Sequence, residues 1–248
     1  GLAILTKGPV ALLILMLCFV VFLLLRVFRI QTHILDVVWF ILILVVTGGF
    51  WFILQIFDGN YDIIQDFIAY QIRLFRTQDA GHGGFFLYHF VVLFFGVFPA
   101  SIFALPVLFR RTEKQERSRE YSRWMKILFW TVLILFSIVK TKIIHYSSLC
   151  YFPLTYLAAI AIYRMERREI QLKNYQRGLI LIVGLFWGFI VTILPLIQYF
   201  KSIILEKGWI DDPFAEANLQ ANVQWLGWES AIGLLFMGFL IYLAGFRM

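Results

Sequence analysis

The chain has 248 residues, of which 61% are hydrophobic and 19% are aromatic. This composition excludes an ordinary soluble domain and is typical of an integral membrane protein. The formal net charge of +7 would suggest nucleic-acid binding in a soluble chain, but a membrane protein concentrates Lys and Arg in its cytoplasmic loops. We therefore expect membrane lipid, and no nucleic acid, among its partners.

Apolar stretches of helix length follow one another along the whole chain. A bilayer core of ~30 Å is crossed by about 20 helical residues. The pattern predicts an all-α fold, a polytopic transmembrane helical bundle with about seven spans that forms a single domain over residues 1–248. The predicted spans are Pro9–Phe28, Ile34–Phe57, Phe85–Phe109, Trp124–Val139, Leu149–Tyr163, Gly178–Phe200 and Gln224–Phe246.

The basic residues divide unevenly between alternate loops. Of the 22 Lys and Arg residues, 15 fall on one side of the predicted bundle, which the positive-inside rule makes cytoplasmic. The other seven face outward, where topology gives no reason for them: Lys7, Arg73, Arg76, Lys140, Lys142, Lys201 and Lys207. These outward cations indicate where function should be sought.

Two outward segments are long enough to have structure of their own. Residues 58–84 form a predicted extracytoplasmic loop with an amphipathic helix over Asn60–Arg76, lying flat in the interface. Its polar stripe carries Arg73 and Arg76, which either pair with nearby aspartates or present two guanidinium groups to an anion. Residues 201–223 form a second outer loop, which is either solvated or in contact with a substrate.

Three outward motifs hold most of these cations. They are Thr6–Pro9 (TKGP), the glycine-rich turn 78–84 (QDAGHGG) before an aromatic helix start, and Lys140–Tyr146 (KTKIIHY). Any one of these side chains could lie along apolar surface and extend its charge to water, which is snorkelling. Their clustering on one face is better explained by a lipid phosphate bound at headgroup depth. We predict phosphate binding by Lys7, Arg73, Arg76, Lys140 and Lys142, and substrate contacts by Asp79, His82, Tyr88, His145 and Tyr146.

A metal site is the alternative use of the polar residues in these motifs. The candidate metal ligands are His82, His89, His145 and Asp79. They come from separate segments, and no pair has a recognised ligand spacing. We expect these histidines to hydrogen-bond or pack against aromatic rings. No cofactor is assigned, and a divalent metal ion is left open.

The ordered motifs carry a family resemblance. The segments GLAILTKGP (1–9), GHGGFFLY (81–88) leading to Phe98-Pro99, and KTKIIHY (140–146) leading to Tyr151–Pro153 resemble bacterial membrane glycosyltransferases of the GT-C class. These are related to the protein O-mannosyltransferases and the lipid A aminoarabinose transferase. Phe85, Phe86 and Leu87 stand where many relatives have proline and more tyrosines.

The resemblance implies an enzyme of the bacterial inner membrane. Such enzymes transfer a sugar from a polyprenyl-phosphate donor to a lipid, glycan or protein acceptor at the extracytoplasmic face. Lys7 matches the lysine of the KGP motif, and His82 falls in the stretch that borders the donor site. The catalytic carboxylate of the family lies in an outer loop upstream of KGP, so it is expected upstream of Gly1.

Two other functions remain open from the residues alone. A lipid-linked-sugar transporter or flippase would also need outward cations, but the predicted spans carry no Asp, Glu, Lys or Arg away from their ends. A non-catalytic membrane subunit would use the cations only to anchor its helices.

Overall fold

The computed structural model describes residues 1–25, 33–76, 83–109, 116–221, 223 and 225–246. These residues are mostly α-helical and contain no strand, which confirms the all-α prediction. The chain divides into two compact units, Gly1–Ile162 and Tyr163–Met248. A single domain over the whole chain therefore stays a prediction.

The first unit contains most of the helices. In chain order they are α1 (Leu2–Lys7), α2 (Val10–Leu25), α3 (Ile34–Gly48), α4 (Phe50–Phe57), α5 (Tyr61–Arg76), α6 (Tyr88–Gly96), α7 (Ala100–Phe109), α8 (Glu116–Ile138) and a 3₁₀ helix (Ile144–Cys150) that continues into α9 (Tyr151–Glu166). The second unit begins within the last turn of α9. It continues with α10 (Asn174–Ile193), a 3₁₀ helix (Leu194–Phe200), α11 (Lys201–Glu206), α12 (Pro213–Gln220) and α13 (Ser230–Phe246).

Among the described residues, three continuous helical segments are long and apolar enough to cross a membrane: Arg119–Ile138, Ile144–Glu166 and Asn174–Glu206. Two bent helix pairs raise the number of candidate spans to five if each pair counts as one. The length and composition of these helices indicate a membrane protein. Val10–Leu25 and Ser230–Gly245, from the first and last predicted spans, are shorter apolar helices, and residues 26–28 lie outside the described part.

Two of the predicted spans are broken near their middle. The axes of α3 and α4 meet at 54° beside Gly49, and those of α6 and α7 meet at 117°. The second break contains Pro99, which lacks an N–H and restricts the backbone of the residue before it. Sequence hydropathy registers both pairs as continuous because the residues at the breaks are themselves small or apolar.

Helices α2 and α8 pack antiparallel in the core of the first unit. The rings of Phe22 and Trp124 stack with centroids 4.2 Å apart, and the Cys18 thiol lies beside the Thr131 side chain. A lower residue number on α2 therefore pairs with a higher number on α8. The first residues of α2 consequently lie at the end of α8 that leads to Lys142.

Helices α10 and α13 pack closely in the second unit through glycine. A Cβ added to Gly233 would collide with the Thr192 hydroxyl and the Gly188 carbonyl, and a Cβ on Gly188 would collide with Met237. Because lipid offers no hydrophobic force between helices, such close backbone approach is a usual basis of helix association in membranes.

Candidate functional site

The TKGP motif forms the turn between α1 and α2. Lys7 is the exposed last residue of α1, and Gly8 has a φ of 69°, a left-handed conformation that glycine adopts without strain. A Cβ on Gly8 would lie 3.0 Å from Cζ of Phe67 and 3.8 Å from Nε2 of Gln71. The turn that carries Lys7 therefore rests directly on α5.

The helix predicted over Asn60–Arg76 is confirmed as α5. Its packed side is centred on Phe67, whose ring lies 5.7 Å from both Trp51 and Phe52 of α4. Arg73 is exposed, and its guanidinium lies 5.2 Å from the centroid of the Tyr70 ring. Arg76 is also exposed, as are Asp62 and Asp66. The polar stripe predicted from the sequence is thus accessible.

The glycine-rich turn and the KTKIIHY motif meet at Gly84. A Cβ on Gly84 would lie 3.0 Å from Cγ of Lys142 and 3.5 Å from Cδ2 of Tyr88. Glycine at this position therefore lets the backbone come close to the lysine side chain. Two predicted substrate residues of the same turn, Asp79 and His82, lie outside the described residues.

Lys142 is buried, with 5% of its surface exposed. Its ammonium donates hydrogen bonds to the carbonyl oxygens of Phe136 at 3.0 Å and Ser137 at 2.7 Å. The last carbonyls of a helix lack partners within it, so this cation completes the C-terminal end of α8. Burial lowers the pKa of the Lys142 ammonium. No third acceptor for it occurs among the described residues.

The two lysines of the KTK sequence therefore differ in environment. Lys140 is exposed, as its predicted phosphate-binding role requires, whereas Lys142 is directed into the protein. The sequence did carry a signal for this second role, since Lys near a helix C-terminus often bonds the last carbonyls. Phosphate binding by Lys142 stays a prediction.

His89, at the start of α6, is completely buried. Its Nδ1 lies 3.2 Å from the hydroxyl of Ser147, which itself donates to the carbonyl of Ile144 at 3.2 Å. Since that hydroxyl proton is used, Nδ1–H is the donor to Ser147, and Nε2 is left as an acceptor. No described residue bonds to Nε2. Sequence reasoning missed Ser147, which joins α6 to the 3₁₀ helix.

The remaining predicted substrate residues lie around this buried centre. Tyr88 packs edge-on against the His89 ring at 5.1 Å, and Tyr146 lies 5.2 Å from Phe136. His145 is exposed. Within the part of the chain that the structure describes, no three His, Cys, Asp or Glu side chains form a group suited to a metal ion.

The described residues of all three motifs lie at one end of the first unit. The contacts between His89 and Ser147 and between Gly84 and Lys142 place the start of α6 at the C-terminal end of α8. The antiparallel packing of α2 brings Lys7 and Gly8, with α5 beneath them, to that same end. We call it the Lys142 end. Its exposed cations can attract an anionic group by charge-assisted hydrogen bonds.

The chain has no match among known families: no family model, no curated protein and no solved structure matches it.

Proposed function

We propose that this chain is part of a membrane glycosyltransferase that transfers a sugar from a polyprenyl-phosphate donor to an acceptor. One observation carries the proposal: the described residues of three separate motifs, each holding a cation or lying beside one, share the Lys142 end of the first unit. Together with the order of the TKGP, GHGG and KTKIIHY motifs, this arrangement favours an enzyme that binds a lipid phosphate.

The proposed donor site uses the exposed cations. At headgroup depth the phosphate is surrounded by Lys7, Arg73, Arg76 and Lys140, while the polyprenyl tail lies in the bilayer. Lys142 acts as a positioning residue, because its ammonium already bonds two carbonyls and its side chain holds the Gly84 turn. Tyr88, His145 and Tyr146 line the approach of the sugar and the acceptor.

The proposed reaction is a displacement at the anomeric carbon of the sugar. A carboxylate, which the family resemblance implies upstream of KGP, takes the proton from an acceptor hydroxyl. The acceptor oxygen bonds to the anomeric carbon as the bond from that carbon to the phosphate oxygen breaks. The departing phosphate gains a negative charge, and the fixed cations stabilise it in the transition state.

The proposed topology has about seven spans in the bacterial inner membrane, with the Lys142 end on the extracytoplasmic side. The excess of Lys and Arg in the alternate loops supports this orientation. In it, α5 lies in the outer interface, and the apolar helices α2 and α13 cross a locally thinned bilayer or continue through residues beyond their helical ends.

The test measures the product that every such transfer releases. Native membranes containing the protein are given polyprenyl-phosphate sugars, and free polyprenyl phosphate is quantified together with sugar bound to acceptor. We expect both to rise together above membranes without the protein. If the donor instead crosses the bilayer intact, the chain is a flippase. If it is neither cleaved nor moved, the chain is a non-catalytic subunit and the proposal is wrong.

A further inference from the structure

The helical segment Asn174–Glu206 is longer than a bilayer core. Its 33 residues extend about 50 Å at ~1.5 Å per residue, against a hydrocarbon thickness of ~30 Å. Part of this segment must therefore lie outside the hydrocarbon. Its last third begins within the 3₁₀ helix Leu194–Phe200 and ends with α11, and the chain beyond it leads through α12 to α13.

The chain after α11 folds back onto this last third. Lys201 donates hydrogen bonds from its ammonium to the carbonyls of Gln220 at 3.1 Å and Ala221 at 3.2 Å. The Trp225 amide donates to Oε1 of Gln198 at 2.9 Å, and Nε2 of Gln198 donates to the Trp225 carbonyl. These bonds hold Gln220, Ala221 and Trp225 beside Gln198 and Lys201, at the 3₁₀ helix that follows α10 and at the start of α11.

Large apolar side chains project from this segment. Four of them are more than 60% exposed: Trp209 (66%), Phe214 (77%), Leu226 (75%) and Trp228 (63%). The exposed apolar surface continues onto α13, where Ile232 and Leu235 are also exposed. The Lys207 ammonium lies 5.1 Å from the centroid of the Trp209 ring. An aromatic ring beside a snorkelling lysine is typical of the boundary between hydrocarbon and headgroups.

We infer that the segment 199–228 lies in the headgroup layer of the bilayer, with Trp209, Phe214, Leu226 and Trp228 inserted among the lipids. Its occupant is lipid because the segment leads along the chain directly into the apolar helix α13, whose side chains Ile232 and Leu235 are exposed as well. Residues 199–228 contain two lysines and four carboxylates, so burial of apolar rings, and not attraction to anionic lipid, holds the segment there. The inference is independent of the proposed enzyme activity.

The experiment places a spin label on the segment in phosphatidylcholine nanodiscs. Phe214→Cys carries a nitroxide at the exposed apolar position of α12, and Asp211→Cys carries the same label at an exposed polar position nearby as the matched control. Both native cysteines are buried, so wild-type protein treated with the reagent measures background labelling. At each position, the collision rate of the nitroxide with oxygen, which concentrates in lipid, is compared with its collision rate with a water-soluble nickel chelate.

We expect the label at position 214 to collide several-fold more with oxygen than with the chelate, and the label at position 211 to show the opposite preference. Adding anionic lipid should leave the first ratio unchanged. Equal chelate access at both positions would mean that the segment projects into water. Protection of position 214 from both reagents, with dipolar broadening, would mean that a second copy covers it. Either outcome overturns the inference.

Discussion

The ammonium of Lys142 lies 2.7 Å from the carbonyl oxygen of Ser137, so a buried cation closes the C-terminal end of α8. The same side chain passes beside Gly84, at the start of the segment that leads into α6. One residue thereby connects two of the three motifs. The stability of the Lys142 end and the position of its exposed cations consequently depend on the contacts of the Lys142 side chain with Ser137 and Gly84.

Replacing Lys142 by methionine should destabilise the protein. Lys142→Met keeps the length of the side chain but leaves the Phe136 and Ser137 carbonyls without their donor, which should lower the free energy of unfolding by about 1–3 kcal/mol. Unfolding by SDS in mixed micelles measures the change. Lys140→Met, two residues away and exposed, should change it by less than about 0.5 kcal/mol. Equal effects of the two variants would contradict the assigned role.

At alkaline pH, the titration of Lys142 should make the free energy of unfolding depend on pH. Burial lowers its pKa in the folded chain below the ordinary value of 10.5. Between that lowered pKa and 10.5 the unfolded chain binds more protons, so the free energy of unfolding rises with pH. Lys142→Met removes this contribution, and the stability gap between wild type and variant should widen as pH rises through the window. A constant gap would show that the lysine titrates normally.

A methyl group at Gly84 should disturb the site. In Gly84→Ala the new Cβ meets Cγ of Lys142 at 3.0 Å, and the buried lysine must shift, which should cost about 1–3 kcal/mol of stability. Gly96→Ala is the matched control, because nothing lies within 4 Å of a Cβ there. Since alanine favours a helix over glycine by up to ~1 kcal/mol, the control should be neutral or stabilising. A stabilised Gly84→Ala would argue against close packing at the turn.

Removing the exposed cation of the KGP turn should slow the proposed reaction. In the complete enzyme, Lys7→Ala should lower the rate of polyprenyl-phosphate release by about 10²-fold or more, as loss of one transition-state donor does elsewhere. Its stability should change little because Lys7 is exposed. Lys207→Ala, an exposed lysine outside the motifs, is the control. An unchanged rate at native expression would remove Lys7 from the donor site.

Much of the fold can be predicted from hydropathy and charge. The amphipathic period of Asn60–Arg76 predicts α5 correctly, because a polar stripe at helical spacing needs no tertiary contact to be recognised. The breaks beside Gly49 and at Pro99 are harder to foresee. Hydropathy registers only the total apolar length, whereas the angle of a bend depends on the backbone conformation at the break.

The site is less predictable from sequence than the fold. Charge and motif order single out two segments that the structure brings together at Gly84 and Lys142, but they treat Lys140 and Lys142 alike. Only the path of α8 determines which of the two reaches its final carbonyls. The contact of His89 with Ser147 is equally hard to predict from sequence, since 58 positions separate the two residues along the chain.

The glycine contact between α10 and α13 bears on how the protein is made. All the residues that form it belong to the second unit: Gly188, Thr192, Gly233 and Met237. Because all the contacts of this pair lie between α10 and α13 themselves, the two helices can associate in the bilayer independently of the helices of the first unit.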